Sequence, residues 1–129
     1  MVLDTSALLA VLQDEEGAED LLIAIEDDET RLISAATVLE ATLVLEARFG
    51  DAAGRELDLL ISKAAIEVVP VDRNQLAEAR RAWRRFGRGR HAANLNYGDL
   101  FSYALSRTSG EALLFKGDDF TRTDVARVL

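Results

Sequence analysis

Four short apolar runs, MVL, RLIS, IEVVPV and EALLF, interrupt a chain whose other apolar residues recur every three or four positions. The spacing predicts strands at these runs. It predicts helices over SALLAVLQ, GAEDLLIAIED, AATVLEATLVLEARF, DAAGRELDLLISKA and RNQLAEARRAWRRF, and from about Tyr97 to Ser106. Strands interspersed with helices build an α/β layer architecture with a mostly parallel sheet. In such sheets ligands sit outside the carboxyl ends of the strands, which directs attention to Asp4 after the first strand and to Lys116-Gly117-Asp118-Asp119 after the last. If those two strands are neighbours, their acids share a rim. The least regular stretch, GRGRHAANLNYG, breaks the helical pattern with glycines and asparagines and reads as a loop that includes His91.

The chain of 129 residues, 49% hydrophobic and 29% charged, suffices for one compact domain with a real core, expected over residues 1–129 without repeats or low-complexity linkers. No apolar run approaches the roughly 20 residues that span a bilayer. The first residues lack a signal peptide's basic region and cleavage site, so a cytoplasmic location is expected. With no cysteine there are no disulfides, thiolate metal sites or thiol nucleophiles, and one histidine cannot supply a typical catalytic zinc centre. A metal here would be held by oxygen.

Among 23 acidic residues, context singles out a few. Asp4 stands where a helix follows a strand, a place that suits either a helix cap or chemistry. Glu40 has Ala36, Thr37, Leu43 and Val44 three and four residues away, so its carboxylate projects from an apolar helix face. It requires a partner: an arginine, a metal, a proton, or a position at the rim of the core. Asp99 lies three residues after Asn96, the spacing of a capping box, at the start of the buried-looking LFSYAL helix. Asp118 and Asp119 follow a glycine, a common local turn. Together these acids form a constellation that suits Mg²⁺ or Mn²⁺, which prefers carboxylate and water oxygens and relieves the repulsion among clustered carboxylates.

Four ordered segments, VLDTSALLAVL, SAATVLEATLVLEARFG, LNYGDLFSYALS and LLFKGDDFTRTDV, resemble the PIN-domain ribonucleases, and within them the VapC toxins of prokaryotic toxin–antitoxin pairs. The resemblance runs from end to end. It implies a single PIN domain with a three-layer α/β/α fold, acting as a Mg²⁺- or Mn²⁺-dependent endoribonuclease. It further implies a homodimer, inhibition by a cognate VapB-type antitoxin, and a structured RNA such as tRNA or rRNA as substrate. Asp4, Glu40 and Asp99 match the family's three core acids. The fourth falls in KGDDF, with Asp118 favoured and Asp119 the alternative. Asp4, Asp99 and Glu40 would hold the metal, and Thr5 or Ser6 matches the hydroxyl that orients the site.

The net charge of −8 argues against nucleic acid on average, yet ARRAWRRFGRGRH gathers six arginines beside Trp83, Phe86 and His91. Given the resemblance, Arg85, Arg88 and Arg90 are candidates to hold RNA. Trp83 and Phe86 are expected in the core rather than as base platforms, and His91 as a loop residue. Apolar surface left over on the helices would suit a second copy or an antitoxin helix. Two rivals remain: a non-catalytic PIN-fold binding module and a Mg²⁺-dependent aspartyl phosphatase. The phosphatase normally carries a second aspartate two residues after the first, where this chain has Ser6. A P-loop is excluded by the absence of GxxxxGK[ST].

Overall fold

The computed structural model describes residues 1–129. Its elements run β1 (Val2–Leu3), α1 (Thr5–Leu12), α2 (Ala18–Asp27), β2 (Leu32–Ser34), α3 (Ala35–Phe49), α4 (Asp51–Lys63), β3 (Glu67–Val69), α5 (Arg73–Phe86), α6 (Tyr97–Ser109) and β4 (Leu113–Leu114). The four strands form one parallel sheet in the order β3-β2-β1-β4. Six helices flank it, as the α/β alternation predicts.

Alternation along each strand sorts side chains to the two faces. Met1, Leu3, Ile33 and Leu114 join an aliphatic core with Leu8, Leu21, Ile25, Leu45 and Leu57 from α1 to α4. Val2, Leu113 and Phe115 point the other way, into a core with Ala82 and Phe86 of α5, Tyr103 and Leu105 of α6, and Phe120 and Val125 beyond β4. These are the three layers of an α/β/α sandwich.

Polar residues punctuate the helices where their first N–H groups need partners. Asp4, Ser34 and Asp72 cap α1, α3 and α5 by accepting from Ser6, Ala36 and Gln75. Asn96 and Asp99 form the reciprocal capping box of α6. The outer edge of β4 is covered: Leu113 N–H donates to the Ala126 carbonyl at 2.8 Å, and Val128 N–H donates back to Leu113 at 3.1 Å. β3 is the open edge, with Glu67 and Val68 exposed. No helix is long and apolar enough to cross a membrane.

Candidate active site

β1 and β4 are neighbours, with Val2 opposite Leu113 and Leu3 opposite Leu114. Asp4 and the Lys116–Asp119 turn therefore leave the sheet side by side, at the carboxyl end of its strands. α6 packs against β1 and β2 and delivers Asp99 to the same end, while α3 starts directly from β2 and brings Glu40 over it.

Asp4 is 4% exposed and fully engaged. Its Oδ2 accepts from the Ser6 backbone N–H at 3.0 Å and the Ser6 hydroxyl at 2.7 Å. Its Oδ1 accepts from the Ser102 hydroxyl at 2.6 Å. Ser6 Oγ in turn accepts from the Lys116 N–H at 3.0 Å, which ties the end of β4 to the start of α1. Ser102 Oγ lies 3.4 Å from Thr37 Oγ1, one turn before Glu40 on α3. Asp4 is thus a helix cap that also lies at the rim of the candidate site, with both of its carboxylate oxygens engaged.

Glu40 is half-buried and takes a short hydrogen bond from the Thr5 hydroxyl. Its carboxylate rests on Gly98, where an added Cβ would lie 1.7 Å from Oε2. Only glycine lets α3 and α6 approach this closely at the acids. Thr5 and Ser6 thus serve different acids: Thr5 holds Glu40, and Ser6 holds Asp4.

Asp99 is 7% exposed, and its carboxylate accepts only the Asn96 N–H, at 2.9 Å. Burial pushes its pKa up to about 7 against the opposing pull of that bond, and the charges of Asp4, Asp119 and Glu40 push the same way. The sequence favours Asp118 as fourth acid, but it is Asp119 whose charge bears on Asp99. Asp118 instead anchors a turn, its carbonyl accepting from the Thr121 N–H and hydroxyl.

No three carboxylates converge into a ready-made metal cage. Each of the three core acids is turned toward a protein donor instead: Asp4 to Ser6 and Ser102, Glu40 to Thr5, Asp99 to Asn96. The donor chemistry nonetheless fits a hard divalent cation, since it is all oxygen and the acids repel one another through Asp99. Mg²⁺ characteristically takes one or two carboxylates directly and keeps several waters.

The arginines divide. Arg85 is bound to Asp124 at 3.0 Å, and Asp124 also takes the Tyr103 hydroxyl at 2.5 Å; that network fastens the segment after Asp119 to α5 and α6. Arg90 stacks 4.0 Å from the centre of the Trp83 ring. Arg88 makes no ion pair and lines a cleft of about 420 Å³ with Glu40, Asn96 and Gly98. Phe86 is buried, as expected, but Trp83 is 43% exposed and belongs to the surface, because α5 turns it away from the sheet toward this cleft. His91 lies in the loop, its Nδ1 accepting from the Ala93 N–H. The largest cavity, about 610 Å³, lies apart from the acids, among Leu12, Leu45, Phe49 and Ala53 of α1, α3 and α4.

Sequence reasoning missed Ser102, Thr37 and Gly98. Ser102 lies three residues after Asp99 and Thr37 three before Glu40, the spacing that places side chains on one helix face. A glycine in the first turn of a helix, beside the acid, was a further signal.

Residues 1–126 match the PIN domain, the class of protein to which this fold and its rim of acids belong. Ribonuclease VapC30 of Mycobacterium tuberculosis is 56% identical over 128 residues, 99% of this chain and 98% of the relative. Ribonuclease VapC of Mycolicibacterium smegmatis is 56% identical over 128 residues and 99% of each chain. Among solved structures, the M. tuberculosis toxin VapC20, described as cleaving the sarcin–ricin loop, superposes with a TM-score of 0.77 at 16% identity, covering 97% of this chain and 95% of that one. VapBC2 from Rickettsia felis, bound to a DNA fragment of its promoter, gives a TM-score of 0.73 at 14% identity, covering 98% and 94%. The chain belongs to the VapC ribonuclease family.

Proposed function

We propose that the chain is the toxin of a toxin–antitoxin pair, an endoribonuclease that hydrolyses RNA phosphodiesters with Mg²⁺ or Mn²⁺. The observation that carries this is the electrostatic coupling of Asp4, Glu40 and Asp119 onto a buried Asp99. Burial, with repulsion from three neighbouring carboxylates, pushes the Asp99 pKa up to about 7, a strain that a bound divalent cation would relieve.

Asp4 and Asp99 would hold the ion; Glu40 and Asp119, rather than Asp118, would complete its surroundings or orient the attacking water. When bound, the ion supplies positive charge for the scissile phosphate and makes water a better nucleophile. Ser6 and Ser102 fix the plane of the Asp4 carboxylate from both sides. Thr5 does the same for Glu40. Arg88 and Arg90 face the RNA, whereas Arg85 serves the fold through Asp124. The substrate class is a structured RNA with an exposed loop, by analogy with the relative named for sarcin–ricin loop cleavage. The partner is a VapB-type antitoxin, supported by the VapBC2 neighbour, and the apolar cavity between α1, α3 and α4 suits an antitoxin helix. A homodimer and a cytoplasmic location belong to the same proposal.

The test is cleavage of a cellular RNA pool by purified protein with Mg²⁺, Mn²⁺ or EDTA, beside Asp99→Asn and Glu40→Gln. Defined fragments that need metal and vanish in both variants support the proposal. Intact RNA from a folded, antitoxin-free protein with either ion overturns it.

A further inference from the structure

The cleft beside Glu40 has a composition that neither the fold nor the acids require. Glu40 and Gly98 form the wall nearest the site; Trp83, Tyr97 and Leu100 form the apolar walls, and Arg88 stands at the side as an unpaired cation. Its volume, about 420 Å³, is in the usual range for pockets that enclose a small ligand. Tyr97 is 79% exposed, yet its ring is braced edge-on against Phe101 with centroids 4.9 Å apart. Trp83 remains 43% exposed even with Arg90 stacked on it. Two large rings left open to solvent in one cleft, against the Glu40 carboxylate, point to a planar ligand.

We propose that this cleft seats an unpaired nucleobase of the nucleotide adjoining the scissile phosphate, with Trp83 and Tyr97 supplying ring faces and Arg88 taking a backbone phosphate; the proposal rests on the endoribonuclease reading above. Every base offers a π-face to an aromatic platform. A guanidinium presents a planar fork that matches a phosphate. The wall shared with Glu40 makes the occupant contiguous with the acids, so a base held here sets which phosphate lies over them. This cleft is therefore a device for choosing the cleavage position in a loop whose bases are splayed out.

Trp83 is the only tryptophan in the chain, so its fluorescence reports on the cleft directly. The experiment titrates the Asp99→Asn protein with RNA hexanucleotides of each single base and with an abasic ribose-phosphate hexamer. Quenching by base-bearing but not abasic hexamers, with affinity falling at least about tenfold in both Tyr97→Ala and Arg88→Ala, is the expected result. Equal binding of abasic and base-bearing oligomers overturns the proposal in favour of a phosphate track. So does the absence of any quenching, or a fluorescence change that follows protein concentration without RNA and marks a second copy on this face. RNA cleavage by the unmodified protein is measured alongside. Cleavage without base-dependent quenching removes this inference alone, whereas quenching without metal-dependent cleavage of any RNA removes the endoribonuclease reading.

Discussion

At the sheet end of the acidic rim, Asp4 is buried and receives three hydrogen bonds, two from Ser6 and one from Ser102. At the helix end, Asp99 is nearly as buried and receives one, from Asn96. Both carboxylates are shielded from water, but they differ in donors, three against one, and burial pushes the Asp99 pKa up to about 7 against that single bond. Burial raises the cost of the charged form, and protein donors that replace the lost water offset it. The sheet end is finished within the protein, and the helix end is left with a deficit of donors.

The largest effect should come from erasing that deficit. Asp99→Asn keeps an acceptor for the Asn96 N–H and removes the repelled charge, so RNA cleavage should fall by at least about a hundredfold while the metal-free protein becomes more stable. Cleavage rate and thermal melting on the same preparation check both halves. A variant that loses activity by unfolding would show the opposite shift in melting temperature.

The second effect is steric. Gly98→Ala puts a methyl group where Glu40 Oε2 now lies, so either the glutamate swings out or α6 backs away from α3. The expected cost is about 1–3 kcal/mol of stability with a marked loss of cleavage, read by denaturant titration and initial rates. Gly98→Ser should behave no better, because the clash is with Cβ itself.

Ser102→Ala attacks the finished end. It strips one donor from buried Asp4, and the expected destabilisation is about 1–3 kcal/mol. Ser102→Thr keeps the hydroxyl and should recover more activity than alanine does. If Ser102→Ala leaves both stability and rate untouched, the two ends of the rim do not differ as described.

The pH dependence separates the ends without changing their shape. An acid whose folded pKa lies above its unfolded value binds protons more tightly in the native state. In the window from the ordinary 3.8 up to about 7 the native protein therefore holds more protons than the unfolded chain. Stability contributed by Asp99 is present below that window and is lost as pH rises through it. Metal-free wild type should therefore lose stability relative to Asp99→Asn between about pH 4 and pH 7, by a few kcal/mol at most. Millimolar Mg²⁺ should recover melting temperature above pH 7 in wild type and not in the variant. The smallest contrast lies in the last turn: Asp119→Asn should slow cleavage, whereas Asp118→Asn should leave it near wild type.

Much of this was legible from the residues. AATVLEATLVLEARF is α3 to the residue, because its apolar spacing is continuous and Ser34 and Gly50 bracket it. The Asn96–Asp99 spacing is the capping box it suggested, and the parallel-sheet rule put Asp4 and the KGDD turn at strand ends, though that β1 and β4 are neighbours is visible only in the fold. What sequence could not resolve were contacts between elements. Asp118 and Asp119 are indistinguishable in sequence, and only the folded turn brings the charge of Asp119 to bear on Asp99. Arg85 looks as free as Arg88 until Asp124, far along the chain, claims it. Trp83 reads as core by its size, and only the direction in which α5 turns it shows otherwise.

The placement of β1 has a consequence in time as well as in space. This central strand takes β2 as one neighbour and, as the other, β4 from near the opposite end of the chain. Pairings of such long sequence separation form late, because the intervening loop must close first. On a ribosome, Ser6 emerges 110 residues ahead of Lys116, the partner that ties it to the end of β4. Until that stretch has been made, the growing chain is without its assembled acid rim on the RNA machine that makes it.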